Sequence, residues 1–508
     1  MAAESSKSYI ALTLNTLAFT VCFAAWMLNG VLVTYIVDNG IFQWDAAQMG
    51  VLIGIPVLTG SIMRLPIGLL TDKLGGRPVY TILLLCSALP MYLLSTANSY
   101  TEYMIYSLGF GLTGAAFAVG IAFTSVWFAR EHQGTALGIF GAGNAGAAIT
   151  TLFAPTILRS LTNGGENLDH WRQLPFMYAV ALVITAVVFF LFTTNRRPAT
   201  QRTIIQMLEP LKHMRVWRFG LYYFLVFGGF VALAQWLVPY YVNVYTMSIV
   251  TAGLLATIFS LPSGLIRALG GYLSDKIGAR AVMYWVLGIT AACCLLLFFP
   301  RMEIQSPGSG IMARKAGTVT EVTATEIRVD AETYPLTPPV QRMIADDELH
   351  LLPIIDTWHE TRVQVGDQVA KRQLLAQGLT HIFFQSNVWV FTMLVFIIGI
   401  AMGIGKAAVY KYIPDYFPHE VGVVGGMVGV IGGLGGFVCP IIFGYLLKAL
   451  GLWTTTWMFL FLVTVVCLVW MQLTIQRMRK TALPQPTIDF EGTPTDSSAP
   501  RSVVTHVS

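Results

Sequence analysis

"RLPIGLLTDKLGGRPV" occupies Arg64–Val79. Its first half continues an apolar run that begins near Val51, and its second half is a short charged loop. Arg64 therefore sits inside the apolar run, eight residues before Asp72, or about 12 Å deeper at ~1.5 Å per helical residue. The pattern returns as "RALGGYLSDKIGARAV" at Arg267–Val282: an arginine, an aspartate eight residues on, then a glycine and a second arginine. The two stretches are offset by 203 residues and identical at eight of sixteen positions.

The surroundings are those of a membrane protein. Of 508 residues, 55% are hydrophobic and 11% charged, where a soluble domain carries about 25% charged residues. Apolar runs of roughly 20 residues recur, the length a helix needs to cross a ~30 Å hydrocarbon layer. The net charge of +5 reads as loop bias, not as nucleic-acid binding. All six cysteines (Cys22, Cys86, Cys293, Cys294, Cys439, Cys467) fall in apolar segments with no CxxC pair or metal spacing. They read as small buried apolar residues, and no metal or cofactor is expected. The N-terminus lacks the charged region and cleavage site of a secretory signal.

Twelve spans are predicted near 9–36, 47–70, 78–97, 102–128, 135–160, 173–193, 218–244, 250–273, 281–300, 390–412, 421–447 and 452–476. The links "TTNRRPATQRTIIQMLEPLKHMRVWR", "TDKLGGRP", "AREHQG" and "SDKIGARA" and the end "QRMRKTA" are basic, whereas "DNGIFQWDAAQ" and "TANSYTEY" are acidic or neutral. The positive-inside bias then places both termini of a multi-pass protein in the cytoplasm, and a bacterial inner membrane is the expected location. A second echo links "GIFG" at Gly138 to "GMVG" at Gly426, an offset of 288. The offset grows by 85 between the two markers, so the second half carries an insertion of that size, and residues 301–389 are polar.

The expected fold is all-α: twelve transmembrane helices in two pseudo-symmetric six-helix halves, with a small β-rich periplasmic insertion. The expected division is 1–195 for the first half, 196–217 for a cytoplasmic linker, 218–300 and 390–477 for the second half, 301–389 for the insertion, and 478–508 for a disordered tail rich in Pro, Ser and Thr. Parallel halves with a midplane site between them are the architecture of a major-facilitator-type transporter. In the insertion, "GTVTEVTATEIRV" alternates polar and branched residues, and "TRVQVGDQVAKRQLLAQG" does so around a Gly-Asp turn. The second stretch resembles half of a biotinyl- or lipoyl-type sandwich, without a lysine in the turn such a domain would modify. A small passive β domain is the plain reading.

An arginine near the midplane costs about 3 kcal/mol or more on insertion scales. No Asp or Glu falls near the middle of any predicted span, so a buried ion pair does not account for Arg64 and Arg267. A mobile counter-ion does: two repeat-related arginines facing a central cavity form a positive clamp, and guanidinium suits planar oxyanions. "GAGNAGAA" (Gly141–Ala148) and "GGMVGVIGGLGGF" (Gly425–Phe437) are glycine-rich runs inside spans. They allow close helix packing, and they also leave backbone room for a small ligand, with Gly143 and the Asn144 amide beside it.

Two resemblances follow from these residues. "GLLTDKLGGR" and "GYLSDKIGAR" fit G-x-x-x-D-x-x-G-x-R, which resembles the cytoplasmic-loop motif of the major facilitator superfamily. It implies that Asp72, Arg77, Asp275 and Arg280 hold helix ends together and gate the inner face. "GIFGAGNAGAAITTLFAP" and "VGGMVGVIGGLGGFVCP" resemble the paired signature segments of the nitrate/nitrite porter family. That resemblance covers all twelve spans but not the insertion. It implies that nitrate lies between Arg64 and Arg267, stacked between rings from spans four and ten, which here are Phe117 and Tyr410. It further implies a hydrogen bond from a span-seven tyrosine, best matched by Tyr223. "GKAAVYKYIPDYFP" carries Lys406 and Lys411 where the exchanger branch is neutral, and is more similar to the branch that couples nitrate uptake to protons. Lys406 lies near the midplane and is either the proton-coupling group, a third electrostatic anchor or a carbonyl-capping lysine. Lys411, nearer the edge, is expected to snorkel.

The expected function is secondary active transport of nitrate, and of nitrite, by symport with protons. Nitrate/nitrite antiport is the alternative, and a membrane sensor with an outer β domain is a remote third. The expected partners are the anion, the proton and the lipid bilayer, without nucleic acid, for a monomer with no catalytic residues.

Overall fold

Among the described residues, eleven helices are long and apolar enough to cross a membrane, and the bent pair Ile249–Leu265 and Leu269–Ile277, at 50°, makes twelve when counted as one span. The computed structural model describes residues 6–128, 130–197, 209–298, 302–338, 354–384, 387–417 and 421–481. The expected disordered tail, apart from its first residues, and residues 198–208 of the linker lie outside the described residues. The spans start and end within a few residues of the predicted ones. The eighth is broken before Arg267.

Several spans are interrupted at mid-depth. The first breaks at Met27 and the second at Met63. The fourth and fifth contain 3₁₀ segments at Gly111–Ala115 and Ala142–Ala145, and the seventh contains a π segment at Phe224–Gly229. Such irregular turns are rare in straight helices and gather at functional positions. In the second span the cause is legible. Pro66 has no N–H for the carbonyl of Ile62, and its ring crowds that turn.

The two halves meet tightly on the face that carries the β domain. A Cβ on Gly50 would collide with the Pro440 carbonyl, one on Gly444 with the Ala46 carbonyl, and one on Gly253 with the Thr151 carbonyl. Thr151 and Thr257 also share a buried hydrogen bond of 2.9 Å between spans five and eight. At the rim, Asp45 accepts from the Gln48 N–H at 2.9 Å and pairs with Lys448 of the other half at 2.8 Å. The Lys448 bond holds the Asp45 carboxyl below the usual range. The pair is therefore complete above the ordinary carboxylate value of about 3.9 and is lost only as pH falls through the lowered one.

On the opposite face the two loop motifs fold alike. Gly75 and Gly278 have φ of 90° and 86°, a conformation that glycine adopts without a Cβ clash. Arg77 donates through Nε to the Phe190 carbonyl at 2.8 Å and covers the Phe190 ring at 4.2 Å, which ties span three to span six. Asp275 pairs with Lys411 at 2.7 Å, tying span eight to span ten. Lys411 thus reaches the motif aspartate instead of snorkelling to headgroups. Asp72 and Arg280 occupy the matching loop positions. Among the cysteines, Cys86 is exposed, not buried as expected, because the third span is peripheral and turns this face outward.

The insertion forms two antiparallel sheets, ordered β1-β7-β5 and β4-β3-β2-β6. The strands are β1 (Met302–Met312), β2 (Gly317–Val322), β3 (Glu326–Val329), β4 (Glu332–Pro335), β5 (Ile354–Thr361), β6 (Gln368–Val369) and β7 (Leu374–Phe384). Its own small core includes Val319, Ile327, Tyr334, Val369 and Leu375. β1 and β7 pair along their length from Met302 opposite Phe384 to Met312 opposite Leu374, so the chain leaves and returns at one place. A variant lacking residues 314–373, closed by a short glycine linker, is expected to insert and fold with its twelve spans intact. Circular dichroism and size-exclusion chromatography of the purified protein check this, and an aggregated or helix-poor product would contradict it.

Candidate anion site between the halves

Arg64 opens the helical segment that follows the Met63 break, so its side chain leaves the helix where the ladder is already interrupted. It is 5% exposed. Its Nη1 donates to the Gly429 carbonyl at 2.8 Å, across to the other half, and its Nε makes a long 3.4 Å bond to the Gly114 carbonyl. The Phe117, Phe227 and Trp26 ring centroids lie 5.2, 5.3 and 5.8 Å from its Cζ. Carbonyls and ring faces lower the cost of the buried charge without neutralising it. No carboxylate among the described residues pairs with Arg64 or Arg267. Arg267 follows the equivalent break at Ile266, and its Cζ lies 5.7 Å from the Tyr410 ring centroid. Its Nη1 is buried without a partner.

The glycine-rich helices give these arginines room. A Cβ on Gly429 would lie 3.7 Å from Arg64 Nη1 and 3.1 Å from the Tyr410 hydroxyl, and one on Gly141 would lie 4.0 Å from Arg267 Nη1. Each signature helix thus turns bare backbone toward the arginine of the opposite half, with Tyr410 reaching both. The Tyr410 hydroxyl donates to the Gly425 carbonyl at 3.1 Å. Tyr223 meets Tyr410 edge-on at 5.0 Å and stacks on Phe227 at 5.0 Å, and its buried hydroxyl has no partner. Asn144 is 1% exposed with both amide atoms unpartnered.

Lys406, on span ten, is fully buried against span eight: its Nζ donates to Ser263 Oγ at 3.3 Å, four residues before Arg267, and lies 3.1 Å from the Phe230 ring centroid. Gly143 is not part of this group. It packs under Phe19, where a Cβ would come within 2.5 Å of the ring, and serves the crossing of spans one and five. Phe227 and Trp26 were not singled out from the sequence. Phe227 lies four residues after Tyr223 in the π segment, and an interrupted helix is not visible in an apolar run.

Two guanidiniums without carboxylate partners among the described residues, ring faces beside both of them, and unpartnered hydroxyl and amide groups are the chemistry that suits a small planar oxyanion.

Comparison with known proteins agrees with this geometry. The profile of the Major Facilitator Superfamily matches residues 14–313 and 374–505. A Thermus thermophilus protein named "Probable nitrate/nitrite antiporter NarK1" is 38% identical over 487 residues, covering 94% of each chain. The chain belongs to the nitrate/nitrite porter family of the major facilitator superfamily. The "Nitrite extrusion protein" of Bacillus subtilis (strain 168), another relative, is 24% identical over 92% of this chain and 95% of its own. The fold of this porter is also that of a bacterial homolog to the human lysosomal transporter Spinster, solved in an inward-facing and occupied conformation. That structure gives a TM-score of 0.61 at 14% identity, over 95% of this chain and all of the other.

Proposed function

We propose that the chain moves nitrate, with nitrite as a second substrate, across a bacterial inner membrane, both termini in the cytoplasm and the β domain in the periplasm, and that it does so as a monomeric nitrate/proton symporter. The observation that carries the anion site is the pair of repeat-related arginines, without carboxylate partners, meeting around Tyr410. A nitrate bound between them would present two oxygens to a guanidinium and its flat face to Phe117 and Phe227. Tyr223 and Asn144 supply further hydrogen bonds. A tetrahedral anion such as sulfate is too thick for a slot bounded by rings. Asp72, Arg77, Asp275 and Arg280 act at the inner edge as tethers and gate, away from the anion.

Symport needs a group that takes up a proton together with the anion. Arginine keeps its proton, and Lys406 is the buried basic group beside Arg267. Nitrate/nitrite antiport is the second reading, favoured by the name of the Thermus relative. Purified protein in vesicles containing neither anion separates the two. A symporter accumulates labelled nitrate when the outside is made acidic, and an exchanger does so only with nitrate or nitrite inside.

The Asp45–Lys448 pair, though it joins the halves, is not the proton sensor in this account. It is exposed and complete throughout the physiological range. Asp45→Asn is expected to change nitrate uptake by less than about threefold, as for an exposed ion pair, and to leave its dependence on pH between 5.5 and 8 unaltered. A flattened pH profile in that variant would assign the coupling to the rim.

A further inference from the structure

The halves differ in the polar group they place one turn from each arginine. Ser61 lies three residues before Arg64 and Gly264 three residues before Arg267, so they are repeat-related at the offset of 203. Each faces the glycine-rich helix of the opposite half. A Cβ on Gly264 would lie 4.0 Å from the Asn144 Cβ. A Cβ on Gly433 would collide with Ser61 Oγ and lie 3.5 Å from Arg64 Nη1. Asn144 and Gly433 take matching places in the packing, 289 residues apart, one more than the offset of the sequence echo. The packing fixes that register: Gly143 abuts Phe19 as Gly432 abuts Tyr223, and Gly146 abuts Thr20 as Gly435 abuts Phe224. The polar and bare positions are therefore exchanged between the halves. On the Arg267 side a glycine faces Asn144, and on the Arg64 side Ser61 faces a glycine.

Ser61 is fully buried, and its hydroxyl has no partner. Helical serines and threonines in apolar surroundings usually bond the carbonyl four residues back, as Thr71, Ser87 and Ser274 do here. A hydroxyl left unsatisfied inside a membrane protein is costly, so a bound partner that comes and goes accounts for it. We infer that Ser61 is an anion ligand on the Arg64 side, the counterpart of Asn144 on the Arg267 side, donating one hydrogen bond to an oxygen of the anion. The inference rests on the nitrate site proposed above. An oxyanion with three oxygens fits this arrangement: two engage a guanidinium edge and the third is left for a neutral donor.

The test is nitrate binding to the purified full-length protein by titration calorimetry, with thermal melting alongside. Ser61→Ala removes a single oxygen and is expected to weaken nitrate binding about tenfold or more, the usual weight of a hydrogen bond to a charged group. Ser61→Cys, which keeps the volume but donates weakly, is expected to show the same loss. Ser61→Gly combined with Gly433→Ser moves the hydroxyl to the opposite helix, as in the other half, and is expected to restore affinity to within about threefold of the parent on the same scale. Parent-like affinity in Ser61→Ala, or a double variant no better than Ser61→Gly, overturns the inference. A parent protein that fails to bind nitrate would instead overturn the proposed function.

Discussion

Arg267→Lys is expected to reduce nitrate uptake at least about a hundredfold while the protein stays folded. The estimate counts two charge-assisted hydrogen bonds from one guanidinium edge, each worth about 1.5–3 kcal/mol, at about 1.4 kcal/mol per tenfold. Lysine keeps the charge at that depth but supplies a point donor in place of a planar fork. Arg267 is the cleaner of the two arginines to test, because its Nη1 has no partner within the protein. Arg64→Lys should lose at least as much. It also gives up the bond to the Gly429 carbonyl, which joins the halves, and the fit between Phe117 and Phe227. Uptake of labelled nitrate into vesicles, together with a thermal melt, reads both properties. Near-normal nitrate affinity in either variant would remove the clamp from the account.

The second large effect concerns coupling. Lys406→Gln is expected to abolish accumulation driven by a pH gradient, yet to retain nitrate binding and nitrate/nitrate counterflow. The physical reason is reciprocal linkage. Nitrate held at Arg267 attracts a proton onto a nearby lysine, and the protonated lysine attracts nitrate by the same free energy. Ser263 and the Phe230 ring are the neighbours that hold the ammonium in place. Glutamine keeps hydrogen bonding to Ser263 within reach but carries no titrating proton. A variant that still concentrates nitrate in response to the gradient would make Lys406 an electrostatic anchor, with the proton travelling through another group.

The spans, their number and the repeat could be read from the chain because hydropathy and a duplicated sixteen-residue pattern are local properties. The arginines could be read for the same reason, since a charge in an apolar run is conspicuous. Tertiary choices were harder. Both arginines follow a helix break, but only Pro66 signals one. Phe227 comes to flank Arg64 through a π segment that apolar residues do not announce. Gly143 and Gly429 are both glycines of the signature runs, yet one supports Phe19 and the other opens space at Arg64. In the insertion, β2 and β3 show alternation, whereas β1 contains Pro307 and two glycines. β1 lies at the edge of its sheet, the place where a strand tolerates a proline.

The central claim is that this porter uses a proton gradient to concentrate nitrate at the Arg64–Arg267 site. The direct measurement is labelled nitrate uptake by the purified parent protein in vesicles that contain neither nitrate nor nitrite, with the outside more acidic than the lumen. The account predicts accumulation above the outside concentration that collapses when a protonophore dissipates the gradient, and no accumulation with Arg267→Lys. Uptake that appears only after the vesicles are loaded with nitrite or nitrate, and that ignores the protonophore, would contradict it and establish exchange.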